Sequence, residues 1–252
     1  MTREILSGTN VLLLIVILVI AGVLVLESAS MTKSDVATAV NGSSATLSVT
    51  GDRILLPAPD HTSDKTLDYA LEHRRSVRGY SNTSLSPESV SLILWSAQGI
   101  TNPATGKRTA PSAMATYPLT LFVLVSNVTG VAPGIYTYDP VNNTLDLYQN
   151  QSGKDAALSV LGQKSVFSAP VTIVISADYA PFQKIMKSDE EITRHVSLEA
   201  GHAVQNVLLM ETSRGLAGVP FTGFNATAAE DELGLGAAEH VIYAVTAGYL
   251  SE

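Results

Sequence analysis

The chain contains no cysteine. That absence excludes disulfide scaffolds, thiolate zinc sites, cysteine-ligated iron–sulfur clusters, cysteine nucleophiles and a cysteine-borne lipid anchor. Any redox role therefore falls to a bound organic cofactor. Basic residues are scarce as well: 15 Lys plus Arg stand against 23 Asp plus Glu, a formal net charge of −8 over 252 residues. A chain of that sign does not draw affinity from neutralising many phosphates, so nucleic acid is excluded as a partner. Charged residues make up 15% and hydrophobic ones 46%, too apolar for disorder and too poor in charge for a coiled coil.

Several catalytic signatures are missing too. There is no HExxH and no GxSxG elbow, and GLGA near Gly234 lacks the third glycine of a dinucleotide fingerprint. Metalloprotease, serine hydrolase and Rossmann readings fall with them. His195, Glu199 and His202 lie four and three residues apart and share one helical face. Glu199–His202 matches the Glu-x-x-His element of di-iron bundles, but no second copy occurs. These residues are expected to be core or helix-end groups, and no metal is expected.

What is present is uneven. Ile5 to Leu26 carries no charge, and its 22 residues as a helix reach about 33 Å, enough for a hydrocarbon layer of about 30 Å. Residues 1–30 are thus expected to form one transmembrane anchor. A secretory signal cleaved near Ser28–Ser30 is the alternative. The amino terminus and Arg3, partly offset by Glu4, precede the span and Glu27, Lys33 and Asp35 follow it, a small charge difference that favours an extracytoplasmic carboxyl-terminal domain. Six Asn-x-Ser/Thr sequons, at Asn41, Asn82, Asn127, Asn142, Asn150 and Asn225, against roughly two by chance, also point to export.

Residues 31–60 are rich in Ser, Thr, Ala and Gly and are expected to be a linker or stalk. Residues 61–252 are long enough for one domain with its own core. Leu67, Ala70 and Leu71 fall on one face of a helix after Ser63, and Ser86–Pro87 opens a second helix with the stripe Val90, Ile93, Leu94 and Ala97. Strands are expected at Leu119, at Pro170 and from His240, with a hairpin around Pro140–Asn143 and a short helix at Ala156–Leu161. Ser188–Gly215 is the longest periodic segment and predicts a central helix. The order of elements gives an α+β class, not regular βαβ alternation.

Three segments suit a phosphate-bearing flat ligand. RRSVRGY sets Arg74, Arg75 and Arg78 around Ser76, a set of forked donors plus a hydroxyl. A basic helix end complementing the helix dipole is the plainer reading. RTAPSAMATYP, from Arg108 to Pro118, and GVPFTG, from Gly218 to Gly223, are built of small residues and proline that let backbone approach a ring closely. As isolated motifs these two also read as ordinary loops.

Taken in order, RRSVRGYS, LILWSAQGIT, RTAPSAMATYP before LFVLV, PGIYTYDP, SLEAGHAVQNVLL and RGLAGVPFTGF resemble the nitroreductase superfamily. The likeness is closest to its SagB-type (thiazole/oxazole oxidase-like) dehydrogenases and runs over about Thr66–Tyr249. The resemblance implies a central, mostly antiparallel sheet flanked by helices, and an FMN-dependent oxidoreductase working by ping-pong hydride transfer. NAD(P)H is an implied donor, and a small molecule the substrate or acceptor. It also implies a homodimer with flavin at the subunit interface. By position, Arg74, Ser76 and Arg78, with Arg75 adjacent, would hold the FMN phosphate and ribityl chain. Pro111, Ser112, Ala113, Met114 and Ala115 would approach the ring from the partner subunit. Gly218, Val219 and Pro220 would line it, with Gln205 a further candidate. No side-chain acid or base is assigned. Relatives commonly read PSAGALYP, so Met114 replaces a glycine, and the basic residue that many carry after the last strand is replaced by Ser251 and Glu252. A catalytically silent surface module retaining the fold is the alternative that these departures leave open.

Overall fold

The computed structural model describes residues 47–251. The expected anchor, most of the expected linker and Asn41 lie outside them. Among the described residues no helix is long and apolar enough to cross a membrane.

An eight-stranded sheet forms the centre, in the order β1 (Ser48–Thr50), β2 (Arg53–Leu55), β7 (Thr144–Gln149), β6 (Gly134–Asp139), β5 (Leu119–Val125), β8 (Val171–Asp178), β10 (Glu239–Ala247) and β9 (Pro220–Phe221), with every pairing antiparallel. Its first two strands, β1 (Ser48–Thr50) and β2 (Arg53–Leu55), correct the expected boundary at residue 60. They form a hairpin on the sheet edge, where Arg53 grips Asp146 of β7 (Thr144–Gln149) at 2.6 and 2.9 Å. Ile54 and Leu56 are buried in the main core. The polar composition of 31–60 hid this because an edge hairpin buries only alternate residues.

Strands β5 (Leu119–Val125) and β8 (Val171–Asp178) sit centrally and read as unbroken apolar runs because both their faces are covered. Leu121, Val123, Ile173 and Ile175 point into one core, and Phe122, Leu124 and Val174 into the other. The first core is capped by α2 (Pro87–Gln98) and α6 (Asp189–Ser213), the second by α3 (Gln151–Leu161) and α7 (Ala226–Leu233). The hairpin β6 (Gly134–Asp139) to β7 and the long strand β10 (Glu239–Ala247) fall where the alternation puts them. A ribbon of β3 (Ile100–Asn102) and β4 (Lys107–Arg108) stands apart from the sheet. The small helices α4 (Lys164–Ser168) and α5 (Ala180–Gln183) flank β8.

Helix ends follow local chemistry. Ser86 caps α2 through Ser89 N–H with Pro87 at the first turn, and Ser188 caps α6 through Glu191 N–H, while Glu191 Oε2 accepts from Lys187 N–H at 3.1 Å. Helix α1 (Leu67–His73) is capped by Thr66, not Ser63, and of its expected apolar face only Ala70 is buried; Leu67 and Leu71 are exposed. Of the described sequons, Asn82, Asn142, Asn150 and Asn225 are exposed, the last two as caps of α3 and α7. Asn127 is half-buried and holds Ser84 Oγ at 2.6 Å.

Candidate functional site

Helix α1 stops at Arg74, whose φ of −56° and ψ of 124° turn the chain into an extended segment. Ser76 then bridges Gly218 in parallel, with Val77 N–H donating to Gly218 O at 3.1 Å. Alternation along an extended chain predicts Arg74, Ser76 and Arg78 on one side. Arg75 turns the other way, its Nη1 donating to Glu72 O and Arg74 O at 2.8 Å, and so closes the carbonyl end of α1. Among the described residues neither Arg74 nor Arg78 forms an ion pair. The segment is tied down by Tyr80, whose hydroxyl bonds Val77 O and Thr246 Oγ1, and by the chain end, where Tyr80 bridges Leu250 and Ser251 Oγ reaches Gly79 O. Burial pushes the Tyr80 phenol well above its usual range, opposed by its bond to Thr246.

Residues 217–221, which include β9 (Pro220–Phe221), continue this strip along β10. Ala217 and Gly248 exchange hydrogen bonds at 2.9 and 3.1 Å, and Val219 N–H donates to Thr246 Oγ1 at 3.1 Å. Gly218 has no room for a side chain: a Cβ would overlap the Thr246 carbonyl oxygen and lie 2.6 Å from Glu211 Oε2. The segments expected to hold a phosphate and to line a ring, about 140 residues apart in sequence, thus run side by side at Ser76 and Gly218.

The third segment lies elsewhere. Ala113–Ala115 forms a single 3₁₀ turn with Met114 and Ala115 left-handed at φ 56° and 55°, and Tyr117 follows at 47°. For side-chain-bearing residues this costs about 1–2 kcal/mol each. Ser112 Oγ accepts from Tyr117 N–H at 2.8 Å, Thr116 Oγ1 donates to Ala113 O at 2.8 Å, and Arg108 stacks over the Tyr117 ring at 4.6 Å while bonding Gln98. Beneath the turn lies Glu199 of α6, buried, with Oε1 unpartnered. Burial raises its pKa, against the pull of the Ser112 hydroxyl, the Arg108 guanidinium and Ala113 N–H. Pro111, Met114 and Ala115 are exposed; Ser112 and Ala113 are half-buried.

Helix α6 measures the gap between the two groups. Glu199 supports the 111–115 turn and Glu211 backs Gly218, twelve residues or about 18 Å apart along the axis. Gln205 is exposed between them. His195 bonds Glu191 O through Nδ1 and His202 is exposed. Among the described residues no cluster of His, Asp or Glu suits a metal. A cavity of about 440 Å³ between α1, α2 and α6, lined by His61, Trp95, Asn206, Met210 and Arg214, includes none of the expected cofactor residues.

Sequence reasoning missed Glu211, which is fully buried with both carboxylate oxygens unpartnered. Its signal was present: it stands four residues after Val207 and eight after Ala203, a charge on the apolar stripe. Arg108 and Glu199 were likewise not expected as supports of the turn, because they act through contacts between α2, α6 and the loop.

The sequence profile of the Nitroreductase family matches residues 71–249. A protein named as a nitroreductase in Methanocaldococcus jannaschii is 37% identical over 175 residues, 69% of this chain and 86% of the relative. The crystal structure of a Ralstonia eutropha protein named as a nitroreductase superposes with a TM-score of 0.71 at 27% identity, covering 84% of this chain and 97% of that one. A Desulfovibrio desulfuricans structure, described as a nitroreductase in complex with FMN, shares the fold at 22% identity and a TM-score of 0.53, covering 75% and 89%. A family profile spanning most of the described residues, and an archaeal relative above a third identical along nearly its whole length, place this chain in the nitroreductase family.

Proposed function

We propose that two copies of the chain pair to build two FMN sites, each made from the Arg74–Arg78 and Gly218–Pro220 strips of one copy and the Pro111–Ala115 turn of the other. The observation that carries this reading is the separation of about 18 Å along α6, which keeps the turn of one copy from the ring beside its own Gly218. The exposed apolar side chains of Leu67, Leu71, Met114 and Leu198 offer surface for a second copy.

As a nitroreductase the protein is a flavin-dependent oxidoreductase. The residues present suit FMN. Arg74 and Arg78, without acid partners among the described residues and with Ser76 between them, form a donor set for a phosphate. Beside it runs the 217–221 strip, held to Ser76 and Val77 through Gly218 and half-buried at Pro220 and Phe221, backbone that a ring could lie against. Bound FMN supplies two-electron, hydride-level redox chemistry; the chain binds, orients and tunes it. With FMN held there, NAD(P)H would be the donor and a small molecule the acceptor of a ping-pong cycle. Within the family we read the chain as SagB-type, on the order and wording of its motifs. From the charge-free run Ile5–Leu26 and the sequons we further infer a membrane-tethered enzyme with its domain outside the cytoplasm. Recovery of the native protein from the soluble fraction at its full mass would refute the tether.

Purified protein is expected to show a flavin absorption spectrum and a dimer mass by light scattering. The decisive test mixes two inactive variants, R74A/R78A and a copy lacking residues 112–115. Hybrid dimers regain flavin in one site of two if each site draws on both copies, and none if each copy builds its own. Protein that stays colourless with added FMN would favour the silent surface module.

A further inference from the structure

Glu211 is an anomaly that neither the fold nor the phosphate grip requires. It is fully buried, both carboxylate oxygens lack a hydrogen-bond partner, and no cation pairs with it among the described residues. An unsatisfied buried polar group costs about 1–3 kcal/mol, and a methionine or leucine of similar volume would avoid that cost. The carboxyl lies against Gly218, the residue at which the two segments meet: its carbonyl receives Val77 N–H and it bridges Ser76.

We propose that Glu211 is a positioning residue of the flavin site, a carboxylic acid that acts through Gly218 and must carry its proton for FMN to be held tightly. The proposal rests on the FMN reading and adds a proton-linked residue to it. Its surroundings leave little else to set its charge. The 74–80 segment faces it with Tyr80, beyond which stands Arg78. The 217–221 strip presents backbone alone, and β10 presents the Thr246 carbonyl. On α6 itself the next charged group is Arg214, whose Nη2 is held by Asp60 O at 2.7 Å. Burial raises the carboxyl's pKa well above the ordinary value with no opposing interaction. In its neutral form it adds no negative charge behind a site built for a phosphate. Once ionised, it opposes that phosphate across Gly218 and demands water or a partner, and a shift of the adjoining 217–219 strip would supply one.

Because linkage is reciprocal, FMN held by the neutral-acid form binds more weakly as pH rises through the range where Glu211 ionises in the FMN-free protein. The experiment titrates FMN into full-length protein between pH 6 and 9.5, by quenching of flavin fluorescence, for wild type, Glu211→Gln and Glu211→Ala. Wild type is expected to lose at least about fivefold in affinity across the range. Glu211→Gln, the same shape and neutral at every pH, is expected to hold FMN throughout as wild type does at pH 6. Glu211→Ala, which leaves a void, is expected to bind more weakly than Glu211→Gln but without pH dependence. A flat wild-type profile, or one that persists in Glu211→Gln, overturns the proposal while leaving the FMN site standing. Absence of FMN binding in all three at pH 6 overturns the FMN reading itself, and this inference with it.

Discussion

The alternation of side chains after α1 gives the sharpest test of the site. Alternation predicts Arg74, Ser76 and Arg78 on one side of the segment that meets Gly218 at Ser76, whereas Arg75 is spent on the carbonyl end of α1. Replacing Arg74 and Arg78 by alanine removes two charge-assisted contacts to a phosphate, each worth about 1.5–3 kcal/mol. Arg78 is exposed and Arg74 half-buried, so solvent screening brings the pair to or below the lower end of that range, about 2–4 kcal/mol together. The expected outcome is FMN bound roughly 30- to 1,000-fold more weakly. The fold should persist, because Arg74 caps α1 through its backbone N–H to Ala70 O. Arg75→Ala is the internal control, expected to leave FMN affinity within about threefold while costing some tenths of a kcal/mol of helix stability. The assay is FMN titration by fluorescence at two salt concentrations, with circular dichroism to confirm folding. Wild-type affinity should fall with salt, and that of the double variant should fall less. If Arg75→Ala weakens binding as much as the double variant does, or if the double variant retains FMN unchanged, the assignment of the phosphate to this face is wrong.

Three further outcomes are expected. Gly218→Ala forces its methyl onto the Thr246 carbonyl, and overpacking against backbone is expected to cost about 2 kcal/mol, lowering the thermal midpoint by about 4–8 °C; an unchanged melt would show that the strip has slack. Met114→Gly removes the left-handed penalty of about 1–2 kcal/mol and adds about 0.5–1 kcal/mol of chain entropy, for a net gain of about 0.5–1 kcal/mol. Its check is the denaturant midpoint, and a loss of stability would mean that the Met114 side chain makes contacts of its own. For Glu211, the folded state holds a proton where the unfolded chain, at the ordinary 4.5, has lost it. Stability from this group therefore declines as pH rises above about 4.5 towards its folded pKa, and Glu211→Gln should melt increasingly above wild type from pH 5 to 8; a gap that does not widen would contradict a buried neutral acid.

How much of this was readable from the residues differs by region. Core strands β5 and β8 were plain because both faces are buried and every position is apolar. Helix α6 was plain because Ile192, Val196, Ala203 and Val207 keep its period and Ser188 marks its start. The β1–β2 hairpin was not, since its only buried side chain is Ile54 and its outward positions are polar or exposed. Leu67 and Leu71 show the opposite failure. Their helical spacing suggested a buried stripe, yet both stand in solvent in one chain, because periodicity reports an apolar face without naming what covers it.

The site divides along the same physical line. Arg74, Ser76 and Arg78 could be recognised because forked donors near a hydroxyl have one chemistry wherever they occur. That Gly218 would lie beside them follows only from the pairing of residues 217–221 with β10 on one side and Ser76 on the other, a long-range fact that no local spacing carries. The turn at Met114 is more demanding still. Small residues suggested close approach, but three side-chain-bearing residues within four positions are left-handed, at a combined cost of about 3–6 kcal/mol. That cost must be offset by Ser112, Thr116 and Tyr117 bonding one another, by Arg108 stacked on Tyr117, and by Glu199 beneath. Each of these supports is an ordinary residue in sequence. They acquire a role only because α2, α6 and β4 converge on the loop, and so a strained turn and its buried acid are visible together in the fold and separately nowhere.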